Sequence, residues 1–139
     1  DSRRIDGQNM RWTPGRLGVL RRIASTVAVV FGLATVMAGG RVLLGADPGY
    51  VVYRPLLVFN TVMGVAYVVA GVAIWRDLSW SRSAIVTILV LNVAVLGAIL
   101  LLYATGAAVA VDSLRAMTLR SVVWLTLFVA LVAIRQARA

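Results

Sequence analysis

The chain has 139 residues, of which 61% are apolar and 14% charged, with a formal net charge of +9. All 14 basic residues are Arg, the five acids are all Asp, and there is no Lys, Glu, His or Cys. Those absences exclude Ser-His-Asp and Cys-His nucleophilic catalysis, disulfides, His-ligated haem and ordinary zinc sites.

The chain is therefore expected not to be an enzyme and to hold no metal and no cofactor. Contact with a lipid or a carotenoid needs only apolar surface and is compatible with this composition. Beside long apolar blocks, a basic balance serves lipid headgroups and topology, so no nucleic-acid partner is expected. The Arg and Ala bias is what a GC-rich coding sequence gives.

Residues 1–22 read as a basic N-terminal arm, with Arg3, Arg4, Arg11, Arg16, Arg21 and Arg22. Residues 1–11 are polar enough to be expected disordered. Thr13-Pro14 has the pattern of an N-cap followed by Pro in the first turn, and Trp12 and Leu17 stand at the spacing of a hydrophobic staple. A helix is thus predicted from Pro14. It is expected to lie at the membrane interface before joining the first span, with Arg16, Arg21 and Arg22 reaching headgroups or a partner.

Residues 23–139 read as an all-α integral membrane domain, a four-helix transmembrane bundle with short links. The predicted spans are 23–44, 55–75, 84–103 and 117–134. About 20 residues at 1.5 Å each cover a hydrocarbon core ~30 Å thick, and helices satisfy their own backbone hydrogen bonds there. The alternating ten-residue pattern of barrel strands is absent. Gly45-Ala46-Asp47-Pro48-Gly49 marks the first link, and Pro55 suits the first turn of span two. Residues 76–82 make the second link. Residues 106–113 make the third, with enough Ala and Val to prolong the preceding helix.

Arg counts set the topology. Arg3, Arg4, Arg11, Arg16, Arg21, Arg22, Arg76, Arg82, Arg135 and Arg138 fall on one side, against Arg41, Arg54, Arg115 and Arg120 on the other. Ten against four places both termini in the cytoplasm, and the expected location is a bacterial cytoplasmic membrane. Trp12, Trp75 and Trp80 then form the inner aromatic belt, and Tyr50, Tyr53 and Tyr103 the outer one.

Few polar residues fall inside the spans. Asn92 is near the middle of span three, and Thr35, Tyr67 and Thr126 at similar depth are its expected partners for interhelical hydrogen bonds. Asn60 lies early in span two and Arg120 early in span four, in the same leaflet. One reading joins Asn60, Arg120, Arg54 and Tyr103 in a polar cluster facing an anion or headgroup. The simpler reading has Asn60 as helix–helix glue and Arg120 snorkelling to the interface, paired with Asp112 or Asp47.

Small residues four apart provide packing seams: Ala34 and Ala38, Ala66 and Ala70, Ala94 and Ala98, Thr126 and Ala130, with Gly64 and Gly71 seven apart. Tyr67 and Trp124, away from the belts, are expected in core packing. No span carries an acid for proton or cation coupling, which lowers the case for a transporter. The spans also lack the intramembrane Glu that small multidrug exporters use and the Thr-rich segment of fluoride channels. The expected function is a non-catalytic accessory or scaffold subunit, with membrane lipids and other membrane subunits as partners. The alternative is a small oligomeric transporter or channel for a solute or anion.

Overall fold

The computed structural model describes residues 13–139. They form four helices: α1 (Pro14–Leu43), α2 (Arg54–Trp75), α3 (Ser81–Ala104) and α4 (Val111–Arg138). Each is long and apolar enough to cross a membrane, so the chain is an integral membrane protein built as a four-helix bundle. The helices follow one another around the bundle, α1 touching α2 and α4, and α3 touching α2 and α4.

All four helices are longer than their predicted spans, α1 and α4 by the most. α1 is one unbroken helix of 30 residues from Pro14, about 45 Å long, and not an interfacial segment followed by a span. Leu17 is buried in its first turn, which anchors this extension to the bundle. Thr13 has the extended backbone of an N-cap, but its hydroxyl makes no capping bond. Trp12, Arg3, Arg4, Arg11 and the expected disordered arm lie outside the described residues. α4 begins at Val111, six residues before the expected 117, so Arg120 lies more than two turns inside it. α3 does not run into the third link; it ends at Ala104.

Three helices end in the same hydrogen-bonded cap. After α1, Ala46 N–H bonds Arg41 C=O and Gly45 N–H bonds Val42 C=O; after α3, Ala107 bonds Leu102 and Gly106 bonds Tyr103. Gly45 (φ 105°) and Gly106 (φ 83°) supply the left-handed residue this motif requires. After α2 the bonds are Leu78 to Ala73 and Asp77 to Ile74, and the left-handed residue is Asp77 (φ 55°). An Asp there costs more than Gly, so another interaction must offset it.

α1 and α2 pack most closely. Ser25, Ala28, Gly32, Thr35 and Gly39 are all buried, at alternating spacings of three and four that keep one narrow stripe on the partner helix. A Cβ on Gly32 would lie 2.7 Å from the Gly64 carbonyl oxygen, and one on Gly71 would lie 2.6 Å from Val29 Cγ2. The Ser25 hydroxyl donates to Gly71 C=O at 2.8 Å, closing the seam near one end. The expected seam at Ala34 and Ala38 is corrected: both are exposed, about 100° around the helix from Thr35 and Gly39. Ala94, Ala98 and Thr126 are exposed as well, whereas Ala70 is buried as expected.

Candidate functional site

The bundle axis is filled at mid-depth. Tyr67, Asn92 and Trp124 are each 0% exposed. The Tyr67 hydroxyl donates to Asn92 Oδ1 at 2.9 Å, and the Tyr67 ring lies 4.8 Å from that of Trp124 and 5.9 Å from Phe31. Rings from α1, α2 and α4 thus stack beside one amide from α3. Asn92 Nδ2 and Trp124 Nε1 are buried donors without a protein acceptor among the described residues.

Of the expected partners of Asn92, only Tyr67 reaches it. Thr35 is buried but its hydroxyl donates to Phe31 C=O in its own helix. Thr126 is exposed and donates to Val122 C=O; two residues from Trp124, it stands about 200° around α4 from the core.

The end carrying the N-terminus of α1 and the C-terminus of α4 is tied by charge. Asp77 Oδ2 lies 2.7 Å from Arg138 Nη1 and 3.2 Å from Arg21 Nη1. Arg135 Nη2 donates to Ser81 Oγ at 3.1 Å. The link between α2 and α3 is thereby held to α1 and α4, which offsets the left-handed backbone at Asp77. The hydrogen bond from Arg138, aided by the charges of Arg138, Arg21 and Arg135, holds the Asp77 carboxyl below its ordinary range. Arg21 therefore turns to the bundle, while Arg16 and Arg22 are exposed. Trp75 and Trp80 are exposed at this end, and Tyr50 and Tyr103 at the other, as aromatic belts require.

The other end is packed unevenly. Leu56, Ile99, Val109 and Met117 fill the space among α2, α3 and α4, with Tyr53 and Phe59 against them. Among α1, α2 and α4 the side chains are small (Thr35, Ala38, Gly39, Ser113, Ala116), and they leave a cavity of about 190 Å³. Asn60 and Arg120 line it together, with Pro48 and Tyr50 from the first link.

This joins two of the four residues expected in a polar cluster and excludes the others. Arg54 is six residues from Asn60, about 120° around α2, and is exposed. Tyr103 belongs to α3, which does not border the cavity, and is 48% exposed. Tyr50, Thr35 and Ser113 take their places. The 3-4 spacing of small residues in α1 was the signal for this wall, since small side chains both admit α2 and open the space before Arg120.

Arg120 does not pair with either expected acid. Asp112 faces Arg115 at 3.8 Å, and Asp47 Oδ1 accepts the Gly49 N–H at 2.8 Å. Among the described residues, the one hydrogen bond of the Arg120 guanidinium is from Nη1 to Met117 Sδ at 3.9 Å. Arg120 Nε and Asn60 Oδ1 are buried without a hydrogen-bond partner among the described residues. Comparison with family models, with curated proteins and with solved structures gave no match.

Proposed function

We propose that this bundle is a non-catalytic accessory or scaffold subunit of a larger membrane complex, set in a bacterial cytoplasmic membrane with both termini in the cytoplasm. The observation that supports this reading is the filled axis: Tyr67, Asn92 and Trp124 occupy the middle of the bundle with no exposure. A solute carried by one chain would have to displace that plug. What the chain offers instead is surface. α3 buries only Ser81, Ile85, Ile88, Asn92 and Ile99 of its 24 residues, leaving most of an apolar helix for lipid or a neighbouring subunit. The Arg asymmetry of the links supports the orientation.

Affinity purification in mild detergent followed by mass spectrometry tests the reading. Co-purification of the same membrane subunits at fixed stoichiometry is expected, with no solute flux when the chain is reconstituted alone in liposomes. Flux by the chain alone would establish the transporter alternative instead.

A further inference from the structure

We infer that the cavity among α1, α2 and α4 is a binding site for a phosphate-type oxyanion, with Arg120 as its cationic contact and Asn60 as its polar one. The inference does not depend on whether the bundle serves a partner complex.

The argument starts from charge. A guanidinium keeps its charge at any physiological pH, and a charge held away from water needs a counter-charge or hydrogen bonds to offset its desolvation. Arg120 is part-buried and has neither within the described residues: its Nε is buried and unpartnered, and Met117 Sδ at 3.9 Å is a weak acceptor. The nearby acids are engaged elsewhere, Asp112 with Arg115 and Asp47 with Gly49.

Arg120 nevertheless stands at a cavity and not in a packed wall. Ala38, Gly39 and Ala116 keep about 190 Å³ open beside it, room for a small anionic headgroup. A guanidinium presents paired N–H donors that match two oxygens of a phosphate. Asn60 adds an amide whose orientation follows its ligand, with the NH2 donating to an anionic oxygen or the carbonyl accepting from a hydroxyl. The cavity lies toward the first link and runs from Ser113 to Arg120, roughly 3 to 14 Å along α4 from its start at Val111, so a helix overhanging a ~30 Å core brings its mouth near headgroup depth. A phospholipid headgroup and free phosphate share this chemistry.

The full chain, purified in an uncharged detergent, is titrated in native mass spectrometry with phosphatidylglycerol and with phosphatidylcholine. Inorganic phosphate is added separately while thermal unfolding is followed. One phosphatidylglycerol should bind at least tenfold more tightly than phosphatidylcholine, and Arg120→Gln should weaken it at least tenfold. Arg120→Lys should retain part of the affinity. Arg115→Gln, an exposed arginine in the same helix, should leave it unchanged. Should Arg120→Gln not fold, Asn60→Leu provides the comparison, with a loss of at least threefold.

Stabilisation by inorganic phosphate that also displaces the lipid identifies a free anion as the source. Lipid binding without a phosphate response identifies a headgroup. If the wild-type chain retains neither, or if Arg115→Gln loses as much as Arg120→Gln, the inference is overturned.

Discussion

The hydroxyl of Tyr67 on α2 donates to the side-chain oxygen of Asn92 on α3 at 2.9 Å, and both residues are wholly buried. These two helices touch least of the four neighbouring pairs, so this bond is a principal tie between them. Interhelical hydrogen bonds within membranes contribute about 0.6–2 kcal/mol. Tyr67→Phe should therefore lower bundle stability by about 1 kcal/mol, since it strands the Asn92 amide among apolar groups. Tyr67→Phe with Asn92→Leu should lose less than the two single changes summed. Reversible unfolding in mixed micelles measures all three variants, and strict additivity would show the residues to be uncoupled.

Gly32→Ala should destabilise the bundle by about 1–3 kcal/mol, because the added Cβ meets backbone that cannot swing aside. The nearest atom is the Gly64 carbonyl oxygen at 2.7 Å. Gly97→Ala provides the contrast. That position faces open space, and replacing a mid-helix glycine there should be neutral or stabilising by up to about 1 kcal/mol. Thermal unfolding of the two variants in the same detergent gives the comparison.

Asp77 makes stability depend on acid. Its carboxyl titrates lower in the folded than in the unfolded chain, chiefly through the hydrogen bond from Arg138. Its contribution is thus complete above the ordinary value of 3.8 and disappears as pH falls through the depressed folded value. Wild type should exceed Asp77→Asn in stability at neutral pH, and the gap should close below that window. Added salt should narrow it at neutral pH, since Asp77 is 45% exposed in these pairs. Melting curves of both proteins across pH and salt test each part.

The left-handed backbone at Asp77 predicts a second ordering. Asp77→Ala loses the ion pairs and keeps an unfavourable φ of 55°. Asp77→Gly loses the same pairs but relieves the backbone, so it should be the more stable of the two by about 1 kcal/mol. If the two melted together, the backbone conformation would carry no energetic weight.

Single cysteines in this Cys-free chain test orientation. With both termini cytoplasmic, an impermeant maleimide should label Ala46→Cys and Ala107→Cys in intact cells and leave Ser79→Cys unmodified until the cells are opened. The reverse pattern would invert the topology.

The sequence by itself determined four transmembrane helices and the links between them, because those properties are summed along the chain. Uninterrupted apolar stretches of about 20 residues have one low-energy state in a bilayer, and Gly45, Gly106 and Pro55 punctuate them through backbone chemistry local to each residue. It also determined that Asn92 needs a partner in hydrocarbon. Which partner, only the tertiary structure decided: Thr35, Tyr67 and Thr126 share its depth, but rotation about each helix axis directs Thr126 outward and Tyr67 inward. The same rotation joined Arg120 to Asn60 and separated both from Arg54 and Tyr103. In a membrane every face of an apolar helix is apolar, so the amphipathic signal that fixes rotation in a water-soluble bundle is missing. The small-residue register that replaces it, Ser25 to Gly39 against Gly64 and Gly71, acquires meaning only when the two helices are placed in contact.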